Sequence, residues 1–422
     1  MSVMYERTVL DNGLRVITST MPHSRSVGLA ILVGAGSCYE QEREAGVSHF
    51  AEHLFFKGTR RRPTAREISQ DIEGVGGMIN ASTDKEVTVF WCKTAGDHFE
   101  IAADVLSDLL LDSLFDGEEM EKERQVVIEE INMNRDLPQQ RVGVVMDELL
   151  WPGQPLGWEV AGTRETVSKM RREDVVSYVS GRYGANNAVV SVAGGIRHER
   201  AVAQIRRLLG GWSAVEATGG YVSDDRQREP RVRTEYKEGE QAHICLGVRG
   251  LSRFHPQRYV LGLLNVVLGG GMSSRLFTEI REKRGLAYDI HSYAEYFLHS
   301  GSFVTYAGVD PEKLEVAIEA ILAELSKLKR EVSPDELGRA KEMSKGRLQL
   351  RLEDSQQMAL WLGSQELLMG RILDIDEVLS IIDAITVDEL GQVAGSLLSR
   401  RRLKLAVVGP VEDGPTAEIL RL

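Results

Sequence analysis

The chain has 422 residues, 42% of them hydrophobic and 27% charged, a composition typical of globular proteins of about two to four domains. Its 63 acidic residues outnumber its 51 basic ones, for a net charge of −12, so a nucleic-acid partner is not expected. The N-terminus has no basic stretch before an apolar run, and no uncharged apolar run reaches ~18 residues. We therefore expect neither a secretory signal nor a membrane span. Three scattered cysteines, Cys38, Cys92 and Cys245, favour reduced thiols in a cytoplasmic protein.

In the first half of the chain, strand-like and helical patterns alternate. Runs rich in β-branched residues predict strands at Leu14–Thr18, Val27–Val33, Met78–Lys93 (one strand with a bend) and Asn187–Ala193. Apolar periodicity and capping residues predict helices at Ser48–Lys57, Ala65–Gly74 (N-cap Thr64), 97–112 and 117–135.

After a polar, irregular segment, the same order of elements begins again. Strands are predicted at His243–Val248, Phe303–Val309 and Leu403–Val408, and helices at Tyr259–Leu268, 311–330 and 334–352. Residues 174–194 and 388–409 share a helix–strand–glycine pattern, which indicates a duplicated α+β domain of about 210 residues. We predict domains at 1–215 and 231–422, joined by a linker at 216–230.

The strongest chemical signal is the segment His49-Phe-Ala-Glu52-His53. Two histidines four residues apart lie on one face of a helix, where both imidazoles can bind one zinc ion. Glu52 projects towards the same face and can take a proton from zinc-bound water, as in the H-x-x-E-H motif. A catalytic zinc site also needs a third protein ligand.

The predicted helix 117–135 offers Glu123, Glu129 and Glu130 as the third ligand. Glu123 and Glu130 are seven residues apart and share a face, whereas Glu129 points about 100° away from Glu130. If this helix packs on the histidine helix, one glutamate can bind zinc while another lies about two turns away.

These segments resemble the insulinase/pitrilysin family of zinc peptidases, and the processing-peptidase-like members of 45–50 kDa are the most similar in length. The resemblance rests on His49-Phe-Ala-Glu-His-Leu-Phe-Phe-Lys-Gly-Thr59 and on Glu123-Arg-Gln-Val-Val-Ile-Glu-Glu130, with 76 residues between His53 and Glu130. It implies that His49, His53 and Glu130 bind one zinc ion per chain. It also implies that Glu52 is the general base and Glu123 an accessory catalytic residue.

Further segments extend the resemblance over nearly the whole chain. They are Leu10-Asp-Asn-Gly-Leu-Arg-Val16, Gly76-Gly-Met-Ile-Asn-Ala-Ser-Thr83, Gly269-Gly-Gly-Met-Ser-Ser-Arg-Leu-Phe277 and Arg281-Glu-Lys-Arg-Gly-Leu-Ala-Tyr288. In the family, the strand with Asn80 and Ala81 meets the substrate backbone, and an Arg–Tyr pair like Arg281 and Tyr288 contacts the peptide near the scissile bond. The second half has no matching zinc motif, so it is expected to contribute substrate contacts alone.

The resemblance implies an α+β fold of two related domains, each a mostly antiparallel sheet packed with helices, together a duplicated half-clamshell. It implies a metalloendopeptidase that cleaves peptides or unfolded segments inside a dimeric chamber, formed with a second copy or a paralogue. The principal alternative is a non-catalytic partner or scaffold subunit of such a complex. A nucleotide-binding protein is disfavoured because Gly34-Ala-Gly36 and Gly269–Arg275 lack the full phosphate-binding motifs.

Overall fold

The computed structural model describes residues 4–216, 220–221, 223–224 and 229–421. The chain forms two compact units, each built from three segments: Met1–Ile131, Glu159–Tyr221 and Gln349–Asp374 in unit 1, and Asn132–Trp158, Val222–Leu348 and Ile375–Leu422 in unit 2. Each unit therefore includes one segment from the opposite half of the sequence, whereas the predicted domains were consecutive. The predicted linker 216–230 lies for the most part outside the described residues.

Eleven strands are found in the described part of the chain. They are β1 (Glu6–Val9), β2 (Arg15–Thr20), β3 (Ser26–Val33), β4 (Met78–Thr83), β5 (Thr88–Ala95), β6 (Ala188–Gly194), β7 (Arg231–Tyr236), β8 (Ala242–Arg249), β9 (Ala287–Tyr296), β10 (Gly301–Val309) and β11 (Lys404–Gly409).

Each unit contains one mixed sheet, and the two sheets share their topology. The order is β1-β2-β6-β3-β5-β4 in unit 1 and β7-β11-β8-β10-β9 in unit 2. In each sheet the last strand of the unit pairs in parallel with an early one, β6 with β2 and β11 with β7, and all other pairs are antiparallel. The prediction of two related α+β domains with mostly antiparallel sheets is confirmed.

The same residues contain fourteen α-helices. They are α1 (Val47–Phe55), α2 (Ala65–Glu73), α3 (Phe99–Asp112), α4 (Gly117–Asp136), α5 (Pro138–Leu150), α6 (Arg164–Lys169), α7 (Arg172–Arg182), α8 (His198–Leu209), α9 (Arg258–Gly269), α10 (Leu314–Lys327), α11 (Pro334–Leu352), α12 (Ser355–Met369), α13 (Ile375–Ala384) and α14 (Val387–Leu397). The segments predicted to be repeated, 174–194 and 388–409, correspond to α7–β6 and α14–β11. None of the described helices combines the length and hydropathy that crossing a bilayer requires.

Successive residues of β3 face opposite sides of the unit 1 sheet. One set of side chains joins a continuous apolar core with α1, α3 and α8. The other set faces α12, where Ser26 Oγ lies 2.8 Å from Ser355 Oγ. A side chain at Gly28 would lie 2.6 Å from the Cα of Gln356, so glycine at this position allows the helix to approach the sheet.

Helices α5 and α12 are exchanged between the units: each belongs to the unit formed mainly by the other half of the chain. Helix α12, from the second half, packs on β3 and β6 of unit 1, and helix α5, from the first half, packs on β11 and β8 of unit 2. Each sheet is thus covered on one face by a helix from the opposite half of the chain.

The prediction of one bent strand over Met78–Lys93 is wrong. This segment forms the antiparallel strands β4 and β5, connected by a turn in which the Asp84 N–H donates to the Val87 carbonyl at 2.9 Å. Because β5 pairs with β3, strand β4 is left at the edge of the sheet.

Candidate metal centre

Helix α1 presents the H-x-x-E-H residues because it is amphipathic. Its buried apolar residues recur with helical spacing, and they are Val47, Phe50, Ala51, Leu54 and Phe55. The Phe55 ring packs edge-on against Phe90, with ring centroids 5.1 Å apart. Burial of this apolar face leaves His49, Glu52 and His53 on the opposite, half-buried side of the helix.

Helix α4 carries the glutamates, and its buried residues include Met120, Glu123, Arg124, Val127, Ile128 and Ile131. The buried Arg124 guanidinium donates hydrogen bonds to the carbonyls of Val167 and Met170, which fixes the rotation of the helix about its axis. Glu123 lies on the buried face, Glu130 lies two turns later and is half-buried, and Glu129 is exposed.

The side chains of His49, His53 and Glu130 converge. The two Nε2 atoms are 3.3 Å apart, and Glu130 places Oε1 3.7 Å from His49 Nε2 and Oε2 3.6 Å from His53 Nε2. Tetrahedral zinc with bonds of about 2.0–2.1 Å separates its ligand atoms by about 3.3 Å. Two imidazoles and one carboxylate at these spacings fit a zinc site with a fourth position left for water or substrate.

The ring of His53 is held in place by a chain of charged groups. Its Nδ1 lies 2.9 Å from Glu123 Oε1, and the other oxygen of Glu123 lies 2.5 Å from Lys57 Nζ. Burial raises the pKa of Glu123, but the hydrogen bonds to His53 and Lys57 outweigh it, so the pKa is lowered. An ionised Glu123 accepts a hydrogen bond from the Nδ1–H of His53, which leaves the Nε2 lone pair free to bind a metal.

His49 lies in a different environment. Burial, together with the neighbouring His53, lowers the pKa of His49 to about 4. The imidazole is therefore neutral at physiological pH, which is the form that binds metals.

Glu52 lies beside the metal-binding group and is held by a hydroxyl. The Thr83 Oγ1 donates a 2.6 Å hydrogen bond to Glu52 Oε2. Burial raises the pKa of Glu52, the hydrogen bond from Thr83 and the neighbouring His53 oppose this rise, and Glu130 adds to it. A carboxylate with a raised pKa is a stronger base, which suits proton transfer from water.

The predicted substrate-binding residues of the first half lie on the edge strand β4. Asn80 is exposed and Ala81 is buried, and the Asn80 Oδ1 accepts a 2.8 Å hydrogen bond from the Ala81 N–H. A peptide that bonds to this amide would have to displace the Asn80 side chain.

Arg281 and Tyr288 lie in unit 2, and the structure brings these two side chains together. Arg281, on the π-helical segment Phe277–Glu282, places its guanidinium 4.7 Å from the ring centroids of both Tyr288 and Phe277. Two cation–π contacts restrict a long side chain that would otherwise be mobile. Both residues line a cavity of about 430 Å³.

Sequence reasoning missed two residues beside the metal-binding group. Lys57 is four residues after His53, and this spacing, which also relates the two histidines, could have indicated it. Thr83 was placed on the predicted strand, but its contact with Glu52 depends on the pairing of β4 with the rest of the sheet, which no local pattern shows.

Two family profiles match successive parts of the chain. The profile described as "Insulinase (Peptidase family M16)" matches residues 15–164, and "Peptidase M16 inactive domain" matches residues 169–344. The first match contains every member of the metal-binding group, and the second contains Arg281 and Tyr288.

Individual proteins match over almost the full length. The chain is 35% identical over 414 residues to "uncharacterized zinc protease YmxG" of Bacillus subtilis, covering 98% of this chain and 100% of the relative. It shares its fold with a protease from Helicobacter pylori, with a TM-score of 0.91 and 23% identity over 96% of this chain and 99% of that one. The chain also shares its fold with a peptidase M16 inactive domain from Pseudomonas fluorescens, with a TM-score of 0.90 and 18% identity over 98% of this chain and 100% of that one.

These matches confirm the predictions of the family and of a metallopeptidase. With both profiles matched over most of its length and a relative 35% identical from end to end, the chain belongs to the insulinase family, peptidase family M16.

Proposed function

We propose that the chain is a zinc metalloendopeptidase that hydrolyses peptides or unfolded polypeptide segments. The observation that carries the proposal is the convergence of His49, His53 and Glu130, whose ligand atoms all lie within 4.8 Å of one another beside the carboxylate of Glu52. Relatives over nearly the full length are named zinc proteases, which supports zinc as the metal.

Zinc supplies Lewis acidity in such a site, which makes water more acidic and polarises a carbonyl. Glu52 accepts the proton of the attacking water at its carboxylate and delivers it to the leaving amine, as a general base and then a general acid. Thr83 holds Glu52 in position through the hydroxyl hydrogen bond. For Glu123, predicted as an accessory catalytic residue, we propose instead a positioning role, since its two oxygens contact the His53 ring and Lys57.

The substrate binds in extended form along the edge strand β4, near Asn80 and Ala81. Main-chain hydrogen bonds from an edge strand give affinity with little demand on side-chain sequence, which suits unfolded segments as substrates. Arg281 and Tyr288, of the same chain or of the second chain of a dimer, provide further substrate contacts, with the stacked guanidinium binding a peptide carbonyl and the exposed phenol assisting at the oxyanion.

We further propose that the active form is a dimer whose two chains enclose the substrate in a chamber. A homodimer is the simplest assembly, because closed two-fold symmetry is the commonest arrangement. The alternative is a heterodimer with a paralogue that has no zinc site. Light scattering of the purified chain, alone and mixed with candidate paralogues, distinguishes the two.

The experiment that tests the proposed function compares wild type with Glu52→Gln and Glu130→Gln. Glu52→Gln is expected to retain zinc and to lose about 10²- to 10⁴-fold in turnover of a mixed peptide pool followed by mass spectrometry. Glu130→Gln is expected to lose zinc as measured by elemental analysis. Its matched control is Glu129→Gln, which changes an exposed carboxylate one residue away.

A specific observation supports the second candidate, a non-catalytic subunit. Residues 169–344 match a profile described as inactive, and one structural neighbour carries the same description. A folded, zinc-loaded wild-type dimer that cleaves no peptide, with Glu52→Gln indistinguishable from it, would favour this candidate over the peptidase.

A further inference from the structure

The two histidines of the metal-binding group are positioned in different ways. The ring of His53 is oriented by Glu123, whose Oε1 lies 2.9 Å from Nδ1. The Nδ1 of His49 is buried and has no hydrogen-bond partner among the described residues. With no partner at Nδ1, the direction of the His49 ring depends on the groups that meet its Nε2, on packing and on the backbone beneath it.

That backbone is held by Glu40, which precedes α1 and is buried. Glu40 Oε2 accepts a 2.8 Å hydrogen bond from the Gly46 N–H, and Oε1 accepts one of 2.8 Å from the Ser48 N–H. The Ser48 hydroxyl also donates to Oε1. Three donors at the first turn of the helix thus converge on a single carboxyl group.

Among the residues that the structure describes, no other side chain caps the N-terminus of helix α1. Its N-cap residue is Gly46, at a φ of 95°, and has no side chain to accept the first amides. By comparison, α2 is capped in the usual way by Thr64, whose side chain accepts from the Glu67 N–H. His49 is the third residue of α1 and lies in the turn that Glu40 holds, whereas His53 lies in the last turn.

We propose that Glu40 is a positioning residue for the metal centre, acting through the first turn of α1 on the His49 ring. Glu40 and Glu123 then have parallel roles. Glu40 orients His49 through the backbone of α1, and Glu123 orients His53 through a hydrogen bond to its ring. The inference rests on the proposed zinc site. It adds a residue that the family motif segments described above do not include.

The test measures zinc affinity by competition with a chromophoric chelator, together with the visible spectrum of the cobalt-substituted protein. Measurements are made at pH 8, above the pKa of about 7 to which burial raises Glu40 against the opposing hydrogen bonds of Ser48 and Gly46. Glu40→Gln keeps the shape but places an NH₂ group against a backbone donor. Ser48→Ala removes only the hydroxyl bond and serves if Glu40→Gln does not fold.

The matched control is Thr64→Ala, which removes the cap of a neighbouring helix that carries no ligand. We expect Glu40→Gln to weaken zinc binding by about 2- to 30-fold, the range that helix-capping energies imply, and to change the cobalt spectrum. Ser48→Ala should give a smaller loss of the same kind. Thr64→Ala should lower the melting temperature and leave zinc affinity and spectrum unchanged.

Wild-type zinc affinity and spectrum in Glu40→Gln, with only a lower melting temperature, would overturn the inference and leave the proposed function intact. If Glu40→Gln does not fold, wild-type values in Ser48→Ala overturn it. Failure of the wild-type chain to bind zinc, or binding that survives His49→Ala, would instead refute the proposed metal site itself.

Discussion

Removal of one hydroxyl, by Thr83→Val, tests whether Glu52 is the proton acceptor. Valine has nearly the shape of threonine, so the substitution deletes the 2.6 Å hydrogen bond to Glu52 Oε2 and leaves His49, His53 and Glu130 untouched. The half-buried Glu52 then loses a group that stabilises its charged form. Burial and the charge of Glu130 already raise the pKa of Glu52, and without the Thr83 hydrogen bond this pKa rises further.

The magnitude follows from the kind of bond. A hydrogen bond to a charged group contributes about 1.5–3 kcal/mol, and each 1.4 kcal/mol corresponds to about tenfold in an equilibrium constant. The fraction of ionised Glu52 at a pH below its pKa should therefore fall about 10- to 100-fold. We expect kcat/KM at acidic pH to fall by the same factor, and the acidic limb of the pH profile to move to higher pH.

The assay is kcat/KM on a quenched peptide between pH 5 and pH 9, with zinc content measured on each sample. Thr83→Ser keeps the hydroxyl and serves as the matched control, with a profile expected to be close to wild type. A zinc-loaded Thr83→Val enzyme with an unchanged acidic limb would refute the assignment of Glu52 as the base, and so would an equal loss of rate at every pH.

Two further predictions concern ion pairs. Lys57→Met should weaken zinc binding by about 10- to 100-fold, because the lysine keeps Glu123 ionised and Glu123 orients the ligand His53. Lys57→Arg should retain most of the zinc affinity. Equal zinc affinity in both variants and in wild type would contradict this role. Hydrogen bonds from Arg275 lower the pKa of Glu336 to about 2, below its value in the unfolded chain. Ionised Glu336 therefore adds to the free energy of unfolding above about pH 4.5, and this contribution is lost as the pH falls towards 2. Glu336→Gln should flatten the dependence of the melting temperature on pH in that window, and an unchanged slope would contradict the assignment.

Local sequence patterns were sufficient to predict which side chains of the site share one face of a single helix. The phase of α1 places His49 and His53 together, and the phase of α4 separates Glu130 from the exposed Glu129. That the two helices pack so that these faces meet was supplied by family resemblance, because no single-sequence pattern encodes the contact between distant elements. The geometry of the metal-binding group is consistent with the roles predicted for its residues, which stay predictions until tested.

The remaining features depend on tertiary structure. The turn between β4 and β5 has the sequence Asp84-Lys-Glu-Val87, with no glycine or proline to mark it, so the Val- and Thr-rich segment resembled one strand. Glu40 lies seven residues before α1 in a segment without helical or strand periodicity, so its contact with Ser48 could not be predicted from spacing. The order of elements along the chain does not indicate the exchange, by which α5 packs in unit 2 and α12 in unit 1.

That exchange has a consequence for how the protein acquires its structure during synthesis. The sheet that supports the metal-binding helix remains uncovered on one face until residues 349–374 have left the ribosome, long after residue 221. A fragment that ends near residue 215 would therefore expose the β3 and β6 surface that α12 normally covers. Although the architecture is duplicated, neither unit corresponds to one continuous stretch of sequence, so each sheet is completed by a helix from the other half of the chain.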